Sequence, residues 1–139
     1  MENGYTITDD QSRFDIDAIH RFISEESYWG DGRSRETVAA SIAGSFCLAM
    51  LAPDGSLAGF CRCVTDYATN AHVMDVFLQP PHRGQGHGKA LIEALLFHPK
   101  LSAVTRWTLS TSDAHSLYAR YGFTNFPKPE NQMVRQLPR

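Results

Sequence analysis

Apolar positions along the chain change their period several times, and each change marks an element. Residues 5–8 alternate briefly and predict a short first strand. From Phe14 onward, Phe14, Ile16, Ile19, Phe22 and Ile23 recur about once per helical turn, which predicts a first helix running toward Gly30 and Gly32. Ser34 then offers an N-cap oxygen, Val38, Ala39 and Ile42 supply an apolar face, and Gly44 stops a short second helix. Residues 46–51 and 57–65 are β-rich runs on either side of Pro53-Asp54-Gly55, so they read as a hairpin. Residues 72–78 form another such run, closed by Gln79-Pro80-Pro81, because proline has no N–H to give to a ladder.

The second half alternates elements. Ala90, Leu91, Ile92, Ala94, Leu95, Leu96 and Phe97 predict a strongly apolar helix that ends before Pro99. Residues 104–109 predict a strand, residues 114–120 a helix stopped at Gly122, and residues 123–126 and 133–137 two last short strands. Strands that first pair as a hairpin and later alternate with helices give a mixed α/β sheet with helices on its faces. With 139 residues, 42% of them apolar, one core and one domain over residues 1–139 are expected.

Charge narrows the partners. A formal net charge of -2 and a pI near 6.3, with no run of Lys or Arg, leave no surplus of cations for a nucleic-acid backbone. The first ten residues have neither a basic nor an apolar signal region, and no stretch approaches a membrane span, so a cytoplasmic protein without membrane partners is expected. Cys47, Cys61 and Cys63, an odd number inside predicted strands, fit reduced thiols better than a disulfide framework. The histidines and cysteines lack metal-ligand spacing, and no metal is expected.

The most informative stretch joins the third β-rich run to the apolar helix through Arg83-Gly84-Gln85-Gly86-His87-Gly88-Lys89. Glycines at alternate positions let a ligand approach the backbone, and successive N–H groups at a helix start form a cradle for anionic oxygens. A P-loop would need glycine at Arg83 and Ser or Thr at Ala90, and a dinucleotide fingerprint would need glycine at Lys89. Neither fits. About thirty residues later stands Asp113-Ala114-His115-Ser116-Leu117-Tyr118-Ala119-Arg120-Tyr121-Gly122-Phe123.

Arg83-x-x-Gly86-x-Gly88, preceded by Leu78-x-Pro80, resembles the acyl-CoA pyrophosphate loop of the GCN5-related N-acetyltransferase (GNAT) family, and Leu117-Tyr118 with Gly122-Phe123 is similar to that family's second motif. The resemblance implies a GNAT-like fold: a central, mostly antiparallel sheet with splayed middle strands and helices on both faces. It implies an acetyl-CoA-dependent N-acetyltransferase that joins acetyl-CoA and a primary amine in a ternary complex. The acceptor stays open among peptide N-termini, lysines, polyamines, aminoglycosides and small amino acids, with a small-molecule amine preferred because no extended acidic groove for a basic protein partner is visible in the sequence. Backbone groups of Val76, Phe77 and Leu78 would hold the pantetheine and polarise the thioester carbonyl. The N–H groups of Gly84, Gln85, Gly86, His87, Gly88 and Lys89 would hold the pyrophosphate, with Arg83 and Lys89 adding positive charge.

Tyr118 matches the family's usual acid for the departing thiolate, whereas Tyr121 lacks that motif position. The base stays open between His72 and Asp75, with Asp66 as a third choice. On a regular strand His72, Met74 and Val76 share one face and Val73 and Asp75 the other, and a bulge would exchange the faces. Tyr28, Trp29, Asp31 and Arg33 lie between the first two helices, which in this family usually overhang the acceptor pocket. Rings beside a carboxylate suit an amine. Two other functions compete: a non-catalytic acyl-CoA-binding regulator, and a structural or dimerisation domain. A homodimer is compatible with any of them.

Overall fold

The computed structural model describes residues 2–27 and 32–138. The elements are β1 (Thr6–Thr8), α1 (Ile16–Arg21), α2 (Arg35–Ala43), β2 (Phe46–Leu51), β3 (Leu57–Thr65), β4 (Asn70–Leu78), α3 (His87–Leu96), β5 (Arg106–Leu109) and α4 (His115–Ala119). Helix α1 starts where the Asp15 carboxylate accepts from the Ala18 N–H, and it runs on as a π-helical turn, Phe22–Glu26. The expected first helix is thus one α-helical and one π-helical piece. Helix α2 is capped as its sequence predicts, with Ser34 Oγ accepting from the Thr37 N–H at 3.1 Å.

The sheet order is β1-β2-β3-β4-β5, antiparallel through β4, and β5 joins β4 parallel. Alternation along the strands divides the core in two. One face packs Phe14, Ile19, Phe22 and Ile23 of the α1 region and Val38 and Ile42 of α2 against Cys47, Ala49, Phe60 and Phe77. The other packs Leu91 and Leu95 of α3 against Leu48, Met50, Cys61, Cys63 and Val73. Each large apolar side chain buried this way contributes roughly 1.5–3 kcal/mol, so both faces anchor the strands between them. Gly59 sits where this packing is tightest. A Cβ there would lie 2.6 Å from Leu78 Cδ2 and 3.1 Å from the Phe77 carbonyl oxygen, so a larger residue would have to displace the Leu78 side chain and push the end of β4 slightly away from β3.

Two irregularities in β4 shape the site. The first is a bulge: Phe60 pairs with Phe77 but Arg62 pairs with Met74, so Cys61 faces both Asp75 and Val76. Asp75 takes φ 53, a left-handed conformation that costs a non-glycine residue roughly 1–2 kcal/mol. The bulge exchanges the faces. Val73 and Val76 both pack on the α3 side, whereas Asp75 reaches Arg62 and Phe77 packs on the α1 side. Asp75 therefore joins His72 and Met74 instead of Val73.

The second is a splay. β5 pairs with β4 only from Asn70↔Arg106 to Val73↔Leu109, and residues 74–78 of β4 have no strand on that edge among the described residues. The two short strands expected at residues 123–126 and 133–137 do not form. Pro127 and Pro129 interrupt the segment and cannot donate to a ladder, and Met133, Val134 and Leu137 are exposed.

Candidate functional site

Strand β4 runs into the glycine loop, which is open in the way an anion site requires. Gly84 and Gly86 have φ 77 and 83, and a Cβ on either would meet no heavy atom within 4 Å. Gly86 is the N-cap of α3 and gives no side-chain cap, and no acidic residue stands in the first turn. Among the described residues no backbone carbonyl accepts from the N–H groups of residues 84–89, the first such bond being from Ala90 to Gly86 at 3.2 Å. Six successive donors at the positive end of a ten-residue helix thus remain for a ligand. Arg83 folds back and donates from Nε to the Leu78 carbonyl at 3.0 Å.

The loop is pinned from below. His87 is buried with its ring centroid 4.0 Å from that of Tyr5, and Tyr5 Oη lies 2.8 Å from His82 Nδ1. These two histidines tie the loop to the start of β1, so the side chain of His87 is a packing element and its N–H is the group left for a ligand.

At the other end the splay opens a cavity of about 650 Å³. His72, Asp75 and Val76 line it from β4, residues 109–113 from the end of β5, Tyr118 from α4, and Arg33 from the segment before α2. Tyr118 is mostly buried, with its ring edge-on to Phe123 at 5.7 Å. Burial raises its phenol above the ordinary value, and the neighbouring Cys61 and Asp113 push it further the same way. The proton stays on oxygen at neutral pH. Tyr121 differs: its hydroxyl donates to Glu93 Oε1 of α3 at 2.9 Å. His72 Nδ1 lies 2.7 Å from Thr108 Oγ1 of β5, and burial, then the Arg62 charge, lowers the imidazole below its ordinary value.

Against this geometry, the family model for the GNAT acetyltransferases matches residues 9–123. The chain belongs to the GNAT family. A crystal structure from Xanthomonas campestris pv. campestris, assigned to the GNAT acetyltransferases, superposes with a TM-score of 0.92 at 42% identity, covering 96% of this chain and 94% of that one. A histone acetyltransferase, TAP1, of Glycine max is 50% identical over 40 residues, 29% of this chain and 17% of that protein. An uncharacterized N-acetyltransferase, ycf52, of Pyropia yezoensis is 32% identical over 75 residues, 53% of this chain and 43% of that protein. The aligned parts of this chain thus span less than half the length of these two curated relatives.

Within this GNAT chain the residues expected from sequence separate into groups. Tyr118, His72, Asp75, Val76 and Arg33 meet at one cavity. Tyr28, Trp29 and Asp31 lie outside the described residues. Asp66 stands apart from the cavity. Its carboxylate accepts from Thr69 Oγ1 at 2.6 Å and from the Ala68, Thr69 and Asn70 N–H groups, which closes the β3–β4 turn and holds the acid far below its ordinary value.

Arg62 escaped the sequence reading. It is the lone charge in the otherwise apolar strand Leu57–Thr65, which was the available signal, and it meets Asp75 at 2.9 Å. Residues 110–112 also line the cavity without a motif to announce them. The three cysteines are buried and unpaired, and burial pushes the Cys47 and Cys63 thiols up to about 12 and about 11 and Cys61 well above its ordinary value. Among the described residues no three His, Cys, Asp or Glu side chains converge as a metal ion requires.

Proposed function

We propose that this acetyltransferase joins acetyl-CoA and a small primary amine in a ternary complex and transfers the acetyl group directly between them. The reading is carried by one observation: the splay between β4 and β5 holds a protonated phenol, Tyr118, and an imidazole lowered below its ordinary value, His72, at one cavity, and β4 leads from it to the open glycine loop. The loop donors at residues 84–89 suit the pyrophosphate, and the unpaired edge of β4 at residues 76–78 suits the pantetheine amides.

Acetyl-CoA supplies an activated acyl group and a thiol leaving group. As the C–N bond forms and the C–S bond breaks, one proton must leave the amine and one must reach sulfur. Tyr118 gives the second, since its phenol keeps its proton at neutral pH and no protein group among the described residues accepts a hydrogen bond from it. His72 receives the first. In the tautomer that donates from Nδ1 to the Thr108 hydroxyl, Nε2 keeps its lone pair for the amine, directly or through water. Asp75 is less suited as base, because Oδ2 is ion-paired to two arginines and Oδ1 is buried. The direct route is supported by the thiols, which are too buried and too firmly protonated to form an acyl-enzyme.

The test is release of CoA thiol by the purified protein with acetyl-CoA and a panel of amines. Amine-dependent release with N-acetyl product is expected. Tight acetyl-CoA binding without release by any amine would turn the reading toward a non-catalytic acyl-CoA-binding protein.

A further inference from the structure

On the acceptor side of the cavity the charges do not balance. The Asp75 carboxylate receives two guanidinium groups on one oxygen, from Arg62 Nε at 2.9 Å and Arg33 Nη1 at 3.1 Å. The side chains are 1%, 8% and 13% exposed for Asp75, Arg62 and Arg33. One buried anion therefore faces two cations. Asp113 lines the same cavity, but among the described residues it forms no ion pair with either arginine. Charges taken out of water are stable only when paired, so among the described residues the cluster lacks one negative charge.

The two arginines are not equivalent. Arg62 engages all three of its nitrogens: besides the Nε bond to Asp75, Nη1 donates to Ser45 Oγ at 3.1 Å, and Nη2 points at Met74 Sδ at 3.5 Å. Arg33 commits only Nη1 among the described residues, and it is the one that lines the cavity. Its position is fixed from behind, because His20 Nε2 of α1 donates to the Arg33 carbonyl at 2.9 Å. A planar guanidinium with free donors, held at the wall of a substrate cavity by a neighbouring carboxylate, is built to receive an oxyanion.

We infer that the acceptor is an amine that also carries an anionic group, a carboxylate or a phosphate, and that Arg33 selects it by pairing with that group. This rests on the acetyltransferase reading above. The anion completes the two-plus-two count of charges at the cluster, and once it is seated there the amine lies in the cavity lined by His72 and Tyr118. An amine without an anionic group would leave Arg33 short of its partner, and in its protonated form would add a second surplus charge. Arg33 acts here as a specificity residue.

The experiment measures CoA release with matched acceptors: the protein amino acids against their carboxamides, and phosphoethanolamine against ethanolamine. A kcat/KM at least about tenfold higher for the anionic member of a pair is expected, and the two sets separate carboxylate from phosphate. Arg33→Gln should erase that preference through the acceptor KM while the KM for acetyl-CoA stays put, and Arg33→Lys should restore part of it. An arginine that merely clasped the chain would alter folding without altering the ratio of acid to amide. Wild-type protein that prefers the uncharged member, or an Arg33→Gln protein that keeps the wild-type preference, overturns the inference while leaving the acetyltransferase reading intact. Turnover of no anionic amine also overturns it. Failure to bind acetyl-CoA, read separately by calorimetry, or absence of CoA release with every amine, charged or not, counts against the parent reading instead. If Arg33→Gln does not fold, the wild-type preference and Arg33→Lys decide.

Discussion

At its C-terminal end, strand β4 leads into a loop whose properties come from missing side chains: positive-φ glycines, open space around them, and six N–H groups without backbone acceptors. In the middle of the same strand, Asp75 is held by side chains from far along the chain, Arg62 on β3 and Arg33 before α2. The loop is held to the rest of the fold through His82 and His87 against Tyr5 while its glycines stay open, whereas the bulge is a buried electrostatic knot in a strained conformation. Substitutions at the bulge should therefore be felt in stability, and substitutions in the loop should be felt in binding.

The largest effect expected is on Asp75→Ala. Removing this carboxylate leaves the buried Arg62 and the largely buried Arg33 without their ion-pair partner among the described residues, a change that costs about 3–5 kcal/mol, although relief of the left-handed backbone strain is not gained because alanine is no better there. Denaturant unfolding should show the midpoint fall accordingly. A variant as stable as the wild type would mean that the pairing at 2.9 and 3.1 Å does no structural work, and the contrast between the two regions would collapse.

Next in size is Tyr118→Phe, which removes the donor from the cavity but keeps the ring against Phe123. A fall in kcat of about tenfold to a thousandfold, with acetyl-CoA affinity little changed, is expected where chemistry limits the rate. Tyr121→Phe is the internal control, since its hydroxyl is spent on Glu93. Equal losses in the two variants would remove Tyr118 as the acid.

The same contrast explains what could be read before any coordinates. Contiguous features were legible: the Ser34 cap, the hairpin turn at Pro53-Asp54-Gly55, the glycine loop, and the Leu117-Tyr118 motif each depend on neighbours a few residues away. The Arg33–Asp75–Arg62 cluster was not legible as a unit, because Arg33 and Asp75 are joined only by the packing of α2 and the sheet. The bulge was foreseen as an option and not as a fact, since the pattern of residues 72–78 reads equally well with either register until β3 fixes it. The last two expected strands failed for a tertiary reason as well: apolar alternation at residues 133–137 has no effect without a partner edge to pair with.

A loop substitution sharpens the comparison from the other side. Gly86→Val places a branched side chain at φ 83, which costs roughly 1–2 kcal/mol of backbone strain, and it fills the open space above the donors. Because the loop adds little to the core, the protein should still fold. Acetyl-CoA affinity measured by calorimetry should drop about tenfold or more, by the strain and the lost approach together. Unchanged affinity would detach the loop from acetyl-CoA.

The finest distinction is a pH dependence that belongs to the bulge end alone. Burial and the Arg62 charge lower the His72 imidazole below its ordinary 6.5, so the group stays neutral in the folded protein to a lower pH than in the unfolded chain. The sign follows from linkage. As pH falls through about 6.5 the unfolded chain takes up a proton at this position before the folded one does, so stability is lost from there down to the folded value and is unaffected above it. Activity follows the folded value: a base must be neutral, so the acid limb attributable to His72 lies below pH 6.5, while the raised phenol of Tyr118 sets no limb below its ordinary 10.0. Ionisation of the acceptor amine adds its own pH dependence, which is common to all variants, so the informative quantity is the ratio of wild-type to His72→Gln kcat/KM across pH. That ratio should fall toward one as the pH drops through the lowered imidazole value, and the variant's thermal midpoint should decline less than the wild type's over the same window. A ratio near one at every pH would show that His72 carries no proton in the reaction and that water or the Asp75 carboxylate takes it instead.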